Sequence, residues 1–390
     1  MSEKIRVLHV LRQASGGMRQ HVTILLKKLD SATYDLMVAC PRNTIVDREL
    51  VSNGIKIFYV DICEGTSPLA ETRCLFQLMR IIRENKIQLV HSHGARAGLL
   101  GRTAALLTGT PVSLCTIHNF VRQSQVPGWQ KLAFSVTEKF LAPATTGYIT
   151  VSQALAKEMA QVDKIPAEKI QVVYNGVDLD NFNIMLDCME KKKDLGLTPH
   201  KVIIGTAGRL IATKGVSYFI EAARVVKGKY PATQFIIVGD GPEKPALERL
   251  AKKLDMADQI SFLGYRLDLL SILPLINIFV VPSLSEGQSI ITLEAMASRR
   301  PVVAFKTGGI PELLTHHRTG ILVSEKDPQH LAEGIMEVLE NPRLAEKLGN
   351  RAREVVEQRF QQDLMIRRTE EIYRQCLQEK GFALEPVFST

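Results

Sequence analysis

Residues 278–297 read IFVVPSLSEGQSIITLEAMA. Ile278–Val281 is an unbroken apolar run without alternation, the pattern of a strand covered on both faces. Glu286 falls in the turn that follows, and a helix opens near Ser289. The amides of Gly287, Gln288 and Ser289 then sit at a helix N-terminus, where free N–H groups and the helix dipole favour an anion. Glu294 lies farther along an otherwise apolar helix, where a carboxylate is costly unless it is paired or used.

Outward from this unit the same pattern recurs. Short apolar runs such as Ile5–Val10, Tyr34–Ala39, Leu89–His91 and Val112–Thr116 alternate with amphipathic segments through Ile170–Val173. A second series runs from Lys201–Thr206 and Gln234–Val238 to Val302–Phe305 and Gly320–Val323. Val22–Leu29, Leu75–Asn85, Ser217–Lys229 and Pro328–Glu340 read as helices between them. Such alternation predicts parallel sheets with helices on both faces. The fold class is therefore α/β, with two doubly wound Rossmann-like domains facing a central cleft. A polar stretch, DCMEKKKDLGLTPHK at 187–201, places the junction at 183/184, giving domains 1–183 and 184–364. Glu357–Lys380 reads as one long charged helix with no strand after it.

Composition narrows the class. The chain has 390 residues, 45% hydrophobic and 23% charged; at about 150 residues per domain this is two or three ordinary globular domains. No apolar run approaches the ~18–20 residues that span a bilayer, and the longest, Ile272–Pro282, is interrupted by Pro274 and Asn277. The first residues, MSEKIRVLHV, show no apolar signal region. The six cysteines form no CxxC pair, so buried thiols in a reducing compartment are expected rather than zinc or disulfides. Net charge is +8. Residues 1–183 carry +6 of it, from 21 basic and 15 acidic side chains. That bias makes an anionic membrane surface a candidate partner. Nucleic acid is not expected, because no basic stripe is interleaved with stacking aromatics.

A second constellation follows the first strand of the second half: GRLIATKG, Gly208 to Gly215. Arg209 can fork to phosphate oxygens, and Lys214 adds a point charge beside a helix start. The spacing is not that of the Walker loop. A solvated basic loop is the plain account of GRLIATKG alone; capping is that of Glu286, and a dipole-favoured charge that of Glu294. Taken together, two carboxylates, two cations and an anion-binding turn suit a sugar nucleotide: hydroxyls on the carboxylates, diphosphate on the amides.

These residues resemble the family 4 retaining glycosyltransferases, which have the GT-B fold. The shared pattern is Glu286-x7-Glu294 followed by Ala-Met-Ala and Pro301-Val-Val, with GRLIATKG, VGDGPE (238–243), NGVD (175–178) and Val151-Ser152 in family order. ASGGMRQHV, HSHGARAGLLGR and TIHNF in the first half are most similar to bacterial members that build cell-surface polysaccharides or glycolipids. The resemblance implies that Arg209 and Lys214 hold the donor diphosphate, Glu294 the ribose, and Glu286 the sugar hydroxyls. It implies that His118 meets the donor sugar across the cleft, that Gly16 and Gly17 approach donor phosphate or acceptor, and that Tyr265 and Arg266 lie near the base. It also implies that a C-terminal helix, about 365–390, returns to the first domain. The activity implied is retaining transfer from a nucleoside-diphosphate sugar, UDP before GDP, to a saccharide or lipid-linked acceptor, in the cytoplasm and peripheral to the plasma membrane. The sugar nucleotide is a substrate; no cofactor and no metal are expected.

Two departures stand out. Gln288 and Ser289 replace an aromatic and a glycine common in relatives, and Arg299-Arg300, read as surface, replaces a small residue and glycine. Other signals are weaker. His91 and His93 are read as lying on opposite faces of a strand, against a metal pair; His93 is placed near the acceptor. Asp178-x-Asp180 is read as turn chemistry. Trp129, Lys131, Leu132, Phe134 and Phe140 suit a segment that lies on a membrane or holds a lipid acceptor, or else a core-packing helix beside a loop. A sugar-nucleotide epimerase, a phosphorylase or a non-catalytic nucleotide-binding module are the alternatives; a dehydrogenase is disfavoured by the lack of GxGxxG.

Overall fold

The computed structural model describes residues 4–13, 16–42, 54–62, 67–120, 136–183 and 187–383. The chain divides into two compact units, Met1–Tyr174 with Asp363–Thr390, and Asn175–Gln362.

The first unit is built on a seven-stranded sheet in the order β3-β2-β1-β4-β5-β6-β7. Its strands are β1 Ile5–Leu11, β2 Tyr34–Cys40, β3 Lys56–Tyr59, β4 Leu89–His93, β5 Val112–Ile117, β6 Gly147–Thr150 and β7 Ile170–Val172, all parallel. Both faces are covered, as unbroken apolar strands require. Val7 and Leu11 of β1 enter one core with Val22 and Leu25 of the helix Gly17–Lys28; Leu8 and Val10 enter another with Leu78 and Ala104. The helix Gln362–Gln378 supplies Ile372, Tyr373 and Leu377 to the first of these cores.

The second unit has six parallel strands in the order β10-β9-β8-β11-β12-β13. They are β8 Val202–Ala207, β9 Thr233–Val238, β10 Ile260–Gly264, β11 Ile278–Val281, β12 Val302–Phe305 and β13 Ile321–Val323. In each sheet the order reverses once, between β1 and β4 and between β8 and β11. Ligands of such sheets bind beyond the strand ends at that point.

Two details differ from the expectation. Residues 175–183 group with the second unit, because Val177 bridges Gln361 and the backbone of Gln361 lies against Gly176. A Cβ on Gly176 would fall 2.3 Å from the Gln361 carbonyl oxygen. The long helix expected over Glu357–Lys380 is two helices, Pro342–Arg359 and Gln362–Gln378. The break is held by bonds from Val177 N–H to the Phe360 carbonyl and from Gln362 N–H to the Val177 carbonyl, 2.9 and 3.0 Å.

Cys40, Cys74, Cys115 and Cys376 are buried and Cys188 is exposed, with no disulfide among the described residues; Cys63 lies outside the described residues. Among the described residues no helix is long and apolar enough to cross a membrane.

Candidate active site

In the second unit two of the candidate residues, Lys214 and Glu286, come together beyond the ends of β8 and β11. A pocket there is lined by Gly208, Lys214, Pro282, Ser283, Glu286 and Ile291 among others. Glu286 is buried, and its Oε1 accepts from Lys214 Nζ at 2.6 Å and from the Ser283 hydroxyl at 2.7 Å. The sequence places Lys214 and Glu286 near one ligand; the structure joins them directly.

The loop carrying Lys214 is pressed against the end of β11. Thr213 carbonyl accepts from Leu284 N–H at 2.8 Å. Gly215 has φ +62°, and a Cβ there would lie 2.1 Å from the Pro282 carbonyl oxygen, so only glycine closes this contact.

The helix Ile290–Ala297 starts at Ser289, whose hydroxyl accepts from Thr292 N–H. Among the described residues no carbonyl accepts from the N–H groups of Gly287, Gln288 or Ser289. Three such donors at a helix start, with the dipole behind them, are the arrangement that favours an anion. Glu294 is buried on this helix, as are its neighbours Leu293 and Ala295.

Gln288 has a structural partner that its sequence position did not reveal. Its side-chain Oε1 accepts from Asn175 N–H at 2.5 Å, tying the turn to the start of NGVD. Its Nε2 is buried and, among the described residues, has no acceptor.

Arg209 is exposed in the loop after β8. Tyr265 is exposed beyond β10. Arg266 is engaged: its Nε and Nη2 fork onto the two oxygens of Asp268 at 2.8 and 2.7 Å, and Lys191 Nζ joins at 2.7 Å. The Arg266 fork first, then Lys191, hold the Asp268 carboxyl well below the usual range. Arg300 is half-buried rather than surface, donating to the carbonyls of Ser298 and Pro274. Asp178 accepts from Asp180 N–H at 3.2 Å, an Asx turn.

In the first unit Gly16, at φ +63°, precedes the helix that begins at Gly17. His118 follows β5 and is buried. Burial first, then the charges of His21 and Arg12, push its pKa well below the ordinary histidine value, so it is a neutral hydrogen-bonding group at pH 7. Its Nε2 lies 3.5 Å from Nδ1 of His93.

The reading of His91 and His93 is overturned. Their ring centroids are 4.2 Å apart, because residues two apart on a strand share a face. His9 and His21 join them: His9 stacks on His93 at 5.3 Å, and His21 meets His118 edge-on at 4.8 Å. The register of β1 on β4, His9 opposite His91, creates this cluster. Trp129, Lys131, Leu132 and Phe134 lie outside the described residues; Phe140 is exposed.

Comparison with known proteins accords with this architecture. Residues 15–181 match the family described as Glycosyltransferase Family 4, and residues 188–355 match Glycosyl transferases group 1. The chain is 27% identical over 344 residues to an Escherichia coli UDP-Gal:alpha-D-GlcNAc-diphosphoundecaprenol alpha-1,3-galactosyltransferase, covering 87% of this chain and 89% of that one. It is 23% identical to the Staphylococcus aureus capsular polysaccharide biosynthesis glycosyltransferase CapM, covering 80% and 82%. In fold it is similar to Anabaena HepE, solved in complex with UDP, with a TM-score of 0.80 at 20% identity, covering 96% of this chain and all of that one. WaaG, a glycosyltransferase involved in lipopolysaccharide biosynthesis, gives a TM-score of 0.72 at 14% identity, over 94% and 99%. With both halves of the chain matched and the two reversing sheets in place, this protein belongs to the family 4 glycosyltransferases of GT-B fold.

Proposed function

We propose that this glycosyltransferase moves a sugar, with retention, from a nucleoside-diphosphate sugar to a hydroxyl of a saccharide or lipid-linked acceptor during cell-surface glycan synthesis. UDP is the preferred carrier. The observation that carries the reading is the row of amides at 287–289, without a carbonyl partner among the described residues, beside the Lys214–Glu286 pair. It is a donor array shaped for an anion.

The diphosphate sits against those amides, with Arg209 and Lys214 beside it. Negative charge grows on the leaving diphosphate as the anomeric bond breaks. Fixed N–H groups and cations there stabilise that charge without reorganising. Glu294 accepts from ribose hydroxyls and Glu286 from sugar hydroxyls. His118, being neutral, orients the sugar by hydrogen bonding rather than by charge. The Gly16–Gly17 turn approaches donor phosphate or acceptor, and Tyr265 and Arg266 border the base. The departing phosphate helps deprotonate the acceptor on the same face, which preserves configuration. No metal takes part, and the enzyme works at the cytoplasmic face of the plasma membrane.

The names of its relatives choose the first substrates: UDP-galactose with a diphosphate-linked polyprenyl N-acetylglucosamine. Release of UDP that depends on acceptor, persists in EDTA and yields an α-linked product is the expected result. A β-linked product overturns retention. A nucleotide panel read by thermal shift supports the donor assignment; ligand at a hundredfold its Kd adds about 2.7 kcal/mol. Stabilisation by NAD alone, and not by UDP or GDP, overturns it.

A further inference from the structure

His118 ends a run of buried polar side chains in the first unit, at the point where the strand order reverses between β1 and β4. Its Nε2 lies 3.5 Å from His93 Nδ1. His93 Nε2 lies 3.1 Å from His9 Nδ1. His9 Nε2 lies 3.5 Å from the Tyr373 hydroxyl, and that hydroxyl lies 2.5 Å from His91 Nδ1. His91 Nε2 closes the run on Thr116 Oγ1 at 2.7 Å. Tyr373 belongs to the helix Gln362–Gln378, so the last described helix reaches the first strand's histidine through a phenol.

One proton per neutral ring fixes the direction of the run. Burial lowers the pKa of His9, His91, His93 and His118, so each holds one N–H and one lone pair near pH 7. Tyr373 has one O–H, and the closer of its two nitrogens, His91 Nδ1, takes it. His91 Nε2 then donates to Thr116. His9 Nε2 donates to the phenol oxygen, leaving His9 Nδ1 with its lone pair. His93 Nε2 donates to that lone pair, and His118 Nε2 donates to His93 Nδ1. Nδ1 of His118 is left as an acceptor.

We propose that His93, His9 and Tyr373 are positioning residues that hold His118 in its Nε2–H tautomer, so that His118 Nδ1 accepts a hydrogen bond from a hydroxyl of the bound sugar. The second half of this rests on the reading that His118 meets the donor sugar; the tautomer itself does not. The same nitrogens come within 4.8 Å of one another in two groups, His9 with His91 and His93, and His21 with His93 and His118, the spacing of a metal site. Hydrogen bonding is the better account. Both nitrogens of His91 and the facing nitrogens of His9 and His93 have protein partners, and Arg12 places positive charge near His118.

The test uses the full chain labelled with 15N-histidine. Two-bond 1H–15N correlations separate protonated from lone-pair ring nitrogens, and His118→Gln identifies the His118 signals. The expected wild-type spectrum at pH 7 has His118 Nε2 protonated and Nδ1 bare; Tyr373→Phe shifts His118 toward the other tautomer. A wild-type His118 protonated at Nδ1, or a His118 signal unchanged by Tyr373→Phe, overturns the proposal. So does one zinc per chain in the purified protein that is lost in His93→Gln. The wild-type spectrum decides alone should Tyr373→Phe fail to fold. No substrate enters this measurement, so its outcome is separate from that of the transfer assay. In the transfer assay Tyr373→Phe lowers kcat about tenfold and leaves UDP affinity unchanged. An unchanged kcat overturns the link from tautomer to turnover.

Discussion

Lys214 Nζ lies 2.6 Å from Glu286 Oε1, joining the loop after β8 to the turn after β11 across 72 positions of sequence. Glu286 is 4% exposed in this pair and Lys214 27%. The carboxylate is therefore the member that depends on the bond. Lys214→Ala leaves a buried charge with Ser283, among the described residues, as its one remaining donor, and removes a cation from the proposed donor site. Transfer should fall at least tenfold, about 1.4 kcal/mol or more. The ligand-free protein should also melt lower, since losing about 1 kcal/mol moves Tm by about 2–4 °C in a unit of this size. Lys214→Arg should recover stability better than activity. Unchanged kinetics and melting in Lys214→Ala would sink the assignment.

Glu294 makes a different prediction, because it lies beyond the turn on a helix with apolar neighbours. Glu294→Ala should abolish the thermal shift given by UDP and reduce transfer by at least tenfold, about 1.4 kcal/mol. A shift retained at full size in the folded variant would remove Glu294 from the nucleotide site.

Much of this was legible in the sequence, for local reasons. Strand–turn–helix units announce themselves by apolar runs and by Gly-rich turns, so β11, its turn and the helix from Ile290 follow from residues 278–297 alone. What stayed hidden depends on register and on long-range closure. Nothing near Gln288 says that its carboxamide will meet Asn175 N–H, 113 positions away. His9 faces His91 only because β1 lies directly on β4 in one register. The break at Phe360–Gln361 comes from a pairing with Val177, while the local charge pattern continues as a helix.

Gly215 tests the loop contact. Its φ of +62°, and the 2.1 Å that would separate a Cβ from the Pro282 carbonyl oxygen, leave no room for alanine. Gly215→Ala should cost on the order of 1–3 kcal/mol. UDP binding should weaken further, because the displaced loop carries Lys214. Urea denaturation and UDP titration on the same preparation separate the two effects. An alanine variant of wild-type stability would mean that this approach is not tight in solution.

Arg102 and Glu138 form a pair in the first unit with side chains only 2% and 3% exposed. Arg102 Nη1 donates to Glu138 Oε2 and to the Tyr148 hydroxyl, both at 2.8 Å. Removing one partner of such a pair leaves an uncompensated interior charge, at a cost of about 3–5 kcal/mol. Glu138→Ala should lose that much in urea denaturation. Replacing both, as Arg102→Met with Glu138→Leu, should recover most of it. A double variant no better than the single would place the loss in packing rather than in charge.

The buried histidines give the fold an acid limit. Burial first, then the charge of His21, lowers the His9 pKa from 6.5 to about 3, and burial lowers those of His91, His93 and His118 as well. The unfolded chain therefore binds protons below about pH 6.5 that the folded chain refuses. Stability is fully present above that pH and falls as pH drops below it, by about 1.4 kcal/mol per pH unit for each histidine that stays neutral in the folded chain. Urea unfolding at pH 7.5, 6.5, 5.5 and 5.0 should show a slope that steepens below 6.5. His9→Gln should reduce the slope by about one proton, even if it lowers stability at pH 7.5. A flat profile between 6.5 and 5.0 would mean that these rings are already charged in the folded protein, and the neutral chain behind His118 would fall with it.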